Sequence, residues 1–176
     1  FIGLEIADVA RKKDIAVTVV EAQERLMERA VSPRISEFFA ALHKREGVSL
    51  MLGATVAEIT SNEDDFRVKL TDGDTLSADM IVAGIGALPN DELALDAGIS
   101  CDNGIVVDGE GRTSADNVFA AGDCTMHENV KLKVRHRLES VQNAVDQAKT
   151  VAASMVGKSK PYAQIPWFWS DQYDKK

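Results

Sequence analysis

Hydrophobic and polar positions along this chain follow two alternating periods. Leu4, Ile6, Ala7, Val9 and Ala10 recur at helical spacing. Arg11, Lys12 and Lys13 follow them, where cations suit the negative end of a helix dipole. Ile15 to Glu21 (IAVTVVE) is then a nearly unbroken β-branched run ending in an acid, the pattern of a buried parallel strand. Ser32-Pro33 opens a second helix, with proline where a missing N–H costs nothing, and ISEFFAALHKRE carries it to Gly47. VSLMLGATVAEITS and FRVKLTDGDTLSADMIVAGIG alternate in strand fashion about a TDGDT turn, which predicts a β-meander. Within the latter, Asp79 to Gly84 predicts a return to a buried apolar strand.

Downstream, IVVDGEGRTSADNVFAAGD predicts two short strands around a polar turn. Ser140 to Val156 predicts an amphipathic helix with Val141, Ala144, Val145, Ala148, Val151, Ala152 and Met155 on its packed side, stopped by Gly157. A polar, proline-containing connection, Lys158 to Pro166, leads into PWFWSDQYDKK, which reads as the entry to a further domain. Strands alternating with helices make the fold class α/β, with a meander attached.

The bulk numbers narrow the function classes. The chain has 176 residues, 45% of them hydrophobic, with a net charge of −8. That size suits one domain or pieces of two. The acidity argues against a nucleic-acid or anionic-membrane binder. No run is long and apolar enough to predict a membrane span, and no secretory signal pattern is present, so a cytoplasmic location is expected. Cys101 and Cys124 form neither a C-x-x-C pair nor a zinc-ligand spacing, which leaves no redox dithiol and no metal site. The three histidines, His43, His127 and His136, have no partner at ligand or triad spacing and read as surface or partly buried residues.

Two constellations carry chemistry. The chain opens FIGLEIADVARKKDIAVTVVEAQ, the second half of a strand–turn–helix–strand unit. A dinucleotide-binding turn of the G-x-G-x-x-G kind needs its third glycine where helix and strand pack closely. Gly3, a poor helix former one turn into a helix, suits that role. The acid that binds the adenosine ribose belongs at the end of the second strand, and Glu21 stands there. An acid at that place repels a 2′-phosphate and favours NAD over NADP, although Arg25 lies close enough to oppose it. An apolar strand and a G-x-G are expected just upstream of Phe1. The second constellation is TSADNVFAAGD, Thr113 to Asp123. Gly122 can admit a ligand close to the backbone, and Asp123 is then an acceptor suited to a sugar-like hydroxyl. A capping aspartate before a loop would look the same.

FIGLEIA, TSADNVFAAGDC and the pair RLESVQNAVDQAK and PWFWSDQYD together resemble the FAD-dependent NAD(P)H:ferredoxin and rubredoxin reductases of oxygenase systems, the putidaredoxin reductase type. The resemblance covers essentially the whole chain, which is similar to the middle of a family about twice as long. It implies a Rossmann-like flavoprotein with two dinucleotide-binding domains. Residues 1–84 would be the NAD-binding domain, 85–157 the C-terminal part of the FAD-binding domain, and 161–176 the start of a C-terminal reductase domain. It implies FAD and NAD as cofactors and a ferredoxin or rubredoxin as electron acceptor.

The same resemblance implies the site. Ile2, Gly3, Glu21 and Gln23 would line the NAD turn and strand end, and Glu5 would orient the nicotinamide. Gly84, Ile85 and Gly86, with Pro89, would line the nicotinamide side. Gly122 and Asp123 would hold the FAD ribityl chain. Glu139, Ser140 and Val141 would begin the helix whose N-terminus faces the flavin ring, where its partial positive charge suits a reduced flavin. Trp167 and Trp169 fit either a place near the flavin and the iron–sulfur partner or simple interface packing. Lys131, Lys133, Arg135 and Arg137 are a candidate docking patch or a solvated face. The alternatives are another flavoprotein of the same architecture (an NADH oxidase, a nitrite reductase component, an apoptosis-inducing-factor-like protein) or a nucleotide-binding fragment without turnover. Taken alone, the chain is expected to retain FAD weakly or not at all and to be inactive.

Overall fold

A computed structural model of the chain describes residues 1–61 and 65–175; Lys176, the last residue of the expected C-terminal piece, lies outside them. The chain forms two compact units. The first comprises residues 1–85 together with the chain from Ser170 onward, and the second comprises residues 86–169.

In the first unit, α1 (Ile2–Arg11) follows Phe1, whose carbonyl accepts from the amides of Leu4 and Glu5 at 2.9 and 3.0 Å. Leu4 and Ala7 are buried on its inner face. β1 (Val17–Glu21) runs parallel to β2 (Val48–Leu52), in register from Val17 opposite Val48 to Glu21 opposite Leu52. The crossover between them is α2 (Pro33–Arg45), with Ser32 at its N-cap and Pro33 in its first turn, as the Ser-Pro signal predicts. Gly47 ends the helix region at φ +85°, a conformation that favours glycine. Then β3 (Val56–Ser61), β4 (Phe66–Leu70) and β5 (Thr75–Ala78) form the expected antiparallel meander. Asp72 Oδ1 accepts from the Asp74 amide at 3.0 Å across its TDGDT turn. Leu26, Leu42, Val48, Val68 and Leu70 supply buried apolar side chains of this unit.

The expected buried strand over Asp79 to Gly84 is absent: these residues carry no strand, and Met80 is 77% exposed. Among the described residues no strand pairs with the run, so its backbone has no ladder to join. An apolar β-branched pattern specifies a buried strand only where a neighbour exists to bury it.

The second unit contains a five-residue helix, α3 (Glu92–Asp96), then β6 (Ile105–Val107), β7 (Thr125–Asn129), β8 (Val134–Arg137) and α4 (Val141–Met155). β6 pairs parallel to β7, and β7 pairs antiparallel to β8. Of the two short strands expected within IVVDGEGRTSADNVFAAGD, the first is β6 and the second reduces to one bridge, Arg112 opposite Phe119. Gly111 is required beside it: its φ is +78°, and an added Cβ would stand 2.2 Å from Val151 Cγ2 on α4.

α4 occupies the expected span, but its packed side differs from the expected one. Gln142, Asn143, Gln147, Val151 and Ser154 are buried, whereas Val141, Val145, Ala148, Ala152 and Met155 are exposed. Each buried amide has a partner in the unit, which offsets much of the cost of enclosing it, although Asn143 Oδ1 is buried without one. Residues 161–169 belong to the second unit, Tyr162 being buried there, and the chain rejoins the first unit at Ser170.

Candidate functional site

In the first unit the candidate residues gather around the start of α1 and the ends of β1 and β2. Ile2 and Gly3 are the first two residues of α1. An added Cβ at Gly3 would meet nothing within 4 Å, so its own surroundings do not demand glycine. The close neighbour is Gly84, whose added Cβ would lie 3.4 Å from the Gly3 amide nitrogen. Ile85 follows, 95% exposed.

Glu21 is the last residue of β1. Its Oε1 accepts from the Gln23 amide at 2.9 Å, which folds the carboxylate over the strand end. Gln23 accepts from the Gly53 amide at 2.9 Å, and the Glu21 carbonyl accepts from Ala54 at 3.0 Å. These bonds fasten the turn after β1 to the turn after β2. Arg25 points into its own loop: its guanidinium donates to the carbonyls of Val31 and Glu28 at 2.8 Å and to Ser36 Oγ at 2.9 Å. Those donors are committed to the loop between β1 and α2.

Glu5, in the first turn of α1, accepts on Oε1 from Ser170 Oγ at 2.6 Å. The adjoining Gln172, Tyr173 and His43 continue a buried polar network. His43 is fully enclosed, with Nε2 2.8 Å from Gln172 Oε1 and Nδ1 3.3 Å from the Tyr173 hydroxyl. This corrects the expectation that His43 is a surface or partly buried residue. Its partners lie 129 and 130 residues away, where no local spacing could show them.

In the second unit the candidates gather around the start of α4. Gly86 opens this unit at φ +98°, and Gly122 sits at φ +87°. The Gly122 amide donates to Gln147 Oε1 on α4 at 2.7 Å, and the Thr125 hydroxyl lies within donating reach of both that oxygen, at 2.9 Å, and the Gly122 carbonyl, at 2.8 Å. The Gly122–Asp123 turn is thereby locked to α4. Asp123 is exposed and lines a cavity of about 230 Å³ with Pro89, Asn90, Cys124, Arg137 and Glu139 among its neighbours.

Arg137 draws that cavity together. It donates to the Asp123 carbonyl at 3.1 Å and to the Ala87 carbonyl at 3.0 Å, and it pairs with Glu139 Oε1 at 2.6 Å. Its Nε is buried with no partner in the structure. It therefore does not join the exposed Lys131, Lys133 and Arg135 as a docking patch, and Arg135 itself pairs with Asp102 at 3.3 Å. Sequence reading placed Arg137 in a charge run and missed this role; the signal was its place two residues before Glu139.

Ser140 caps α4, its side chain accepting from the Asn143 amide at 3.1 Å, and Val141 is the first helical residue. The Trp167 amide donates to Gln142 Oε1 at 3.4 Å, which ties the aromatic segment to the first turn of α4. The Trp167 and Trp169 rings lie 5.6 Å apart, tilted by 38°, and both are half exposed.

His127 and His136 face one another across β7 and β8, ring centroids 5.1 Å apart, with Tyr162 at 5.3 Å from His127. His127 is only 2% exposed, again more deeply buried than the surface or partly buried position expected of it. Burial, and then the neighbouring His136, pull the His127 pKa down to about 4. Burial lowers His136 as well. Both cysteines are free thiols.

Comparison with known proteins places this geometry. The family model for pyridine nucleotide-disulphide oxidoreductases matches residues 1–148. The rhodocoxin reductase of Rhodococcus erythropolis is 48% identical over 100% of the chain and 42% of its own length. A crystal structure of a ferredoxin reductase from Rhodopseudomonas palustris superposes with a TM-score of 0.95 at 46% identity, over 99% of the chain and 43% of that structure. The reductase of a covalent putidaredoxin reductase–putidaredoxin complex gives 0.92 at 40% identity, over 98% and 42%. The chain thus spans less than half the length of the relatives that it matches.

Proposed function

Because the chain belongs to the pyridine nucleotide-disulphide oxidoreductase family, we propose that it is the central part of a flavoprotein that passes electrons from NADH through FAD to a ferredoxin- or rubredoxin-type protein of an oxygenase system. The family membership and the partial, Rossmann-like α/β fold stand on the comparisons; the activity, cofactors and acceptor are the proposal. The observation that carries it is the Gly122–Asp123 turn, clamped by Gln147 to the helix that Ser140 caps. It presents an exposed carboxylate beside the positive end of a fifteen-residue helix.

The donor set fits a flavin. Asp123 can accept from ribityl hydroxyls, the unpartnered Arg137 Nε offers a buried donor, and the α4 N-terminus suits an anionic ring edge. In the first unit, Glu21 is an acceptor for ribose hydroxyls, and Gly3 and Gly84 leave the backbone open beside the start of α1. The commitment of Arg25 to its own loop supports NADH over NADPH, because its guanidinium is engaged there rather than offered to a 2′-phosphate at Glu21. When bound, FAD supplies the redox chemistry, accepting a hydride from NADH and releasing the two electrons singly to the acceptor. The chain's own residues bind, orient and tune charge; none acts as a nucleophile. Residues 1–84 are then the NAD part and 85–157 part of the FAD domain.

The proposed acceptor follows from relatives named as rhodocoxin and putidaredoxin reductases, and from the putidaredoxin bound in one solved complex. Among the described residues no helix is long and apolar enough to cross a membrane. The two free thiols accord with the cytoplasmic location we propose. The test is an oxygen-free visible spectrum of the full-length protein titrated with NADH. A yellow protein that bleaches at about one NADH per flavin supports the reading. A colourless protein that takes up no FAD replaces it with a nucleotide-binding role without turnover.

A further inference from the structure

The hydrogen bonds running from Glu5 to Tyr173 have a single consistent direction. A carboxylate only accepts, so the one proton of Ser170 Oγ points at Glu5 Oε1, 2.6 Å away. Ser170 Oγ must then accept from Gln172, which lies at 2.9 Å and so turns its Nε2 toward the serine. That orientation faces Gln172 Oε1 toward His43 at 2.8 Å, and His43 carries its proton on Nε2. Nδ1 is left to accept from the Tyr173 hydroxyl at 3.3 Å. Burial, with Asp8 and Glu46 nearby, raises the Tyr173 pKa, which keeps the phenol a donor. The Tyr173 amide meanwhile donates to Asp8 Oδ2 at 3.0 Å, fastening the same segment to α1 one turn beyond Glu5. Every donor in this series points toward Glu5, and the series is anchored in the closed interior on His43.

We propose that Ser170 is a positioning residue for Glu5: by occupying Oε1 with a proton aimed through Gln172 and His43, it presents Oε2 to the carboxamide N–H of the nicotinamide. This rests on the reading of the first unit as the NADH site. It adds a residue outside the glycine turn and the ribose-binding acid, far from both in sequence. The physical reason is entropic as well as electrostatic. A glutamate in the first turn of a helix samples several rotamers, and one fixed hydrogen bond selects one of them.

The test separates a contact made through the carboxamide from general damage. Full-length, flavin-loaded wild type, Ser170→Ala and Ser170→Thr are compared with NADH and with its reduced acetylpyridine analogue. The analogue carries a methyl ketone in place of the carboxamide and has no N–H for Glu5. The alanine variant is expected to raise KM for NADH about tenfold and to leave KM for the analogue within about twofold. The threonine variant, which keeps the hydroxyl, is expected to restore the NADH value. Equal changes for both dinucleotides, or none for either, overturn the proposal while leaving the functional reading in place. A wild-type protein whose flavin NADH does not bleach overturns the functional reading itself, and this assignment with it.

Discussion

Gln147 shows how one side chain can set a ligand turn. Its Oε1 takes the Gly122 amide proton and competes with the Gly122 carbonyl for the one proton of Thr125 Oγ1, in a site closed to solvent. Replacing it with leucine keeps the volume and removes the acceptor, so the Gly122 amide is left buried without a partner. That costs about 2 kcal/mol. For the second unit we predict a fall in stability of that size by chemical denaturation, together with weaker FAD retention in the full-length protein. An unchanged midpoint would mean that the turn holds itself. Glu21 makes a second prediction at this scale. Glu21→Gln retains the bond to the Gln23 amide through its carbonyl oxygen but loses the charge that repels a 2′-phosphate. The ratio of kcat/KM for NADH over NADPH should fall about tenfold. A ratio that does not move would place the ribose elsewhere. Gln147 was not legible as a site residue, because its partners, the Gly122 amide and Thr125 Oγ1, lie more than twenty residues away and are brought close only by the fold.

At the scale of elements, α4 sets the limit of pattern reading. Its start at Ser140 and its stop at Gly157 follow from local chemistry, a side-chain cap and a glycine at φ +74°, and both were visible in the sequence. Which face it buries was not visible, since Gln142, Asn143 and Gln147 pack inward and the more apolar stripe faces out. Periodicity reports that two faces differ; it does not report which one the rest of the chain covers. Val145→Gln should therefore change the stability of the 176-residue chain by no more than about 0.5 kcal/mol. Val151→Ala, on the buried side against Gly111, should cost about 2 kcal/mol. Equal effects in thermal melts would contradict this assignment of faces. The strand over 79–84 failed for a related reason, its pattern calling for a neighbour that no described residue supplies.

The β7–β8 hairpin was illegible because its residues, TMHEN (125–129) and VRHR (134–137), lack the apolar alternation that marks strands. The buried His127 and the half-buried His136 make it a pH-sensitive element. His127 and His136 both have pKa values lowered in the folded state, so below about pH 6.5 the unfolded chain binds more protons than the folded one. Their contribution is complete above that pH and is lost as pH falls toward 4. The His127 shift, down to about 4, sets an upper bound of about 3 kcal/mol. Urea midpoints of the second unit should drop between pH 7 and 5, and His127→Gln should flatten that slope. A slope that survives the substitution would assign it to other groups.

For the whole molecule, the return of the chain at Ser170 matters most. The segment from Ser170 to Lys175 leaves the second unit and closes over α1 and α2 of the first, where Gln172 is fully buried. Sequence reading treated PWFWSDQYDKK as one entry segment, since a change from aromatic to polar residues does not tell which unit each half joins. The structure divides it at Trp169: the tryptophans belong with α4, and the SDQY residues with His43 and Asp8. Removing residues 170–176 should therefore act on one unit. His43 would lose both ring partners and Asp8 its bond from the Tyr173 amide, leaving buried polar groups unpaired at about 1–3 kcal/mol each. Amide hydrogen exchange should accelerate across α1, α2 and β1 by more than about tenfold, while α4 and β7 keep their wild-type rates. Acceleration in both units alike would mean that they unfold as one. Unchanged rates in α1 and α2 would mean that the terminal segment rests on the first unit without supporting it.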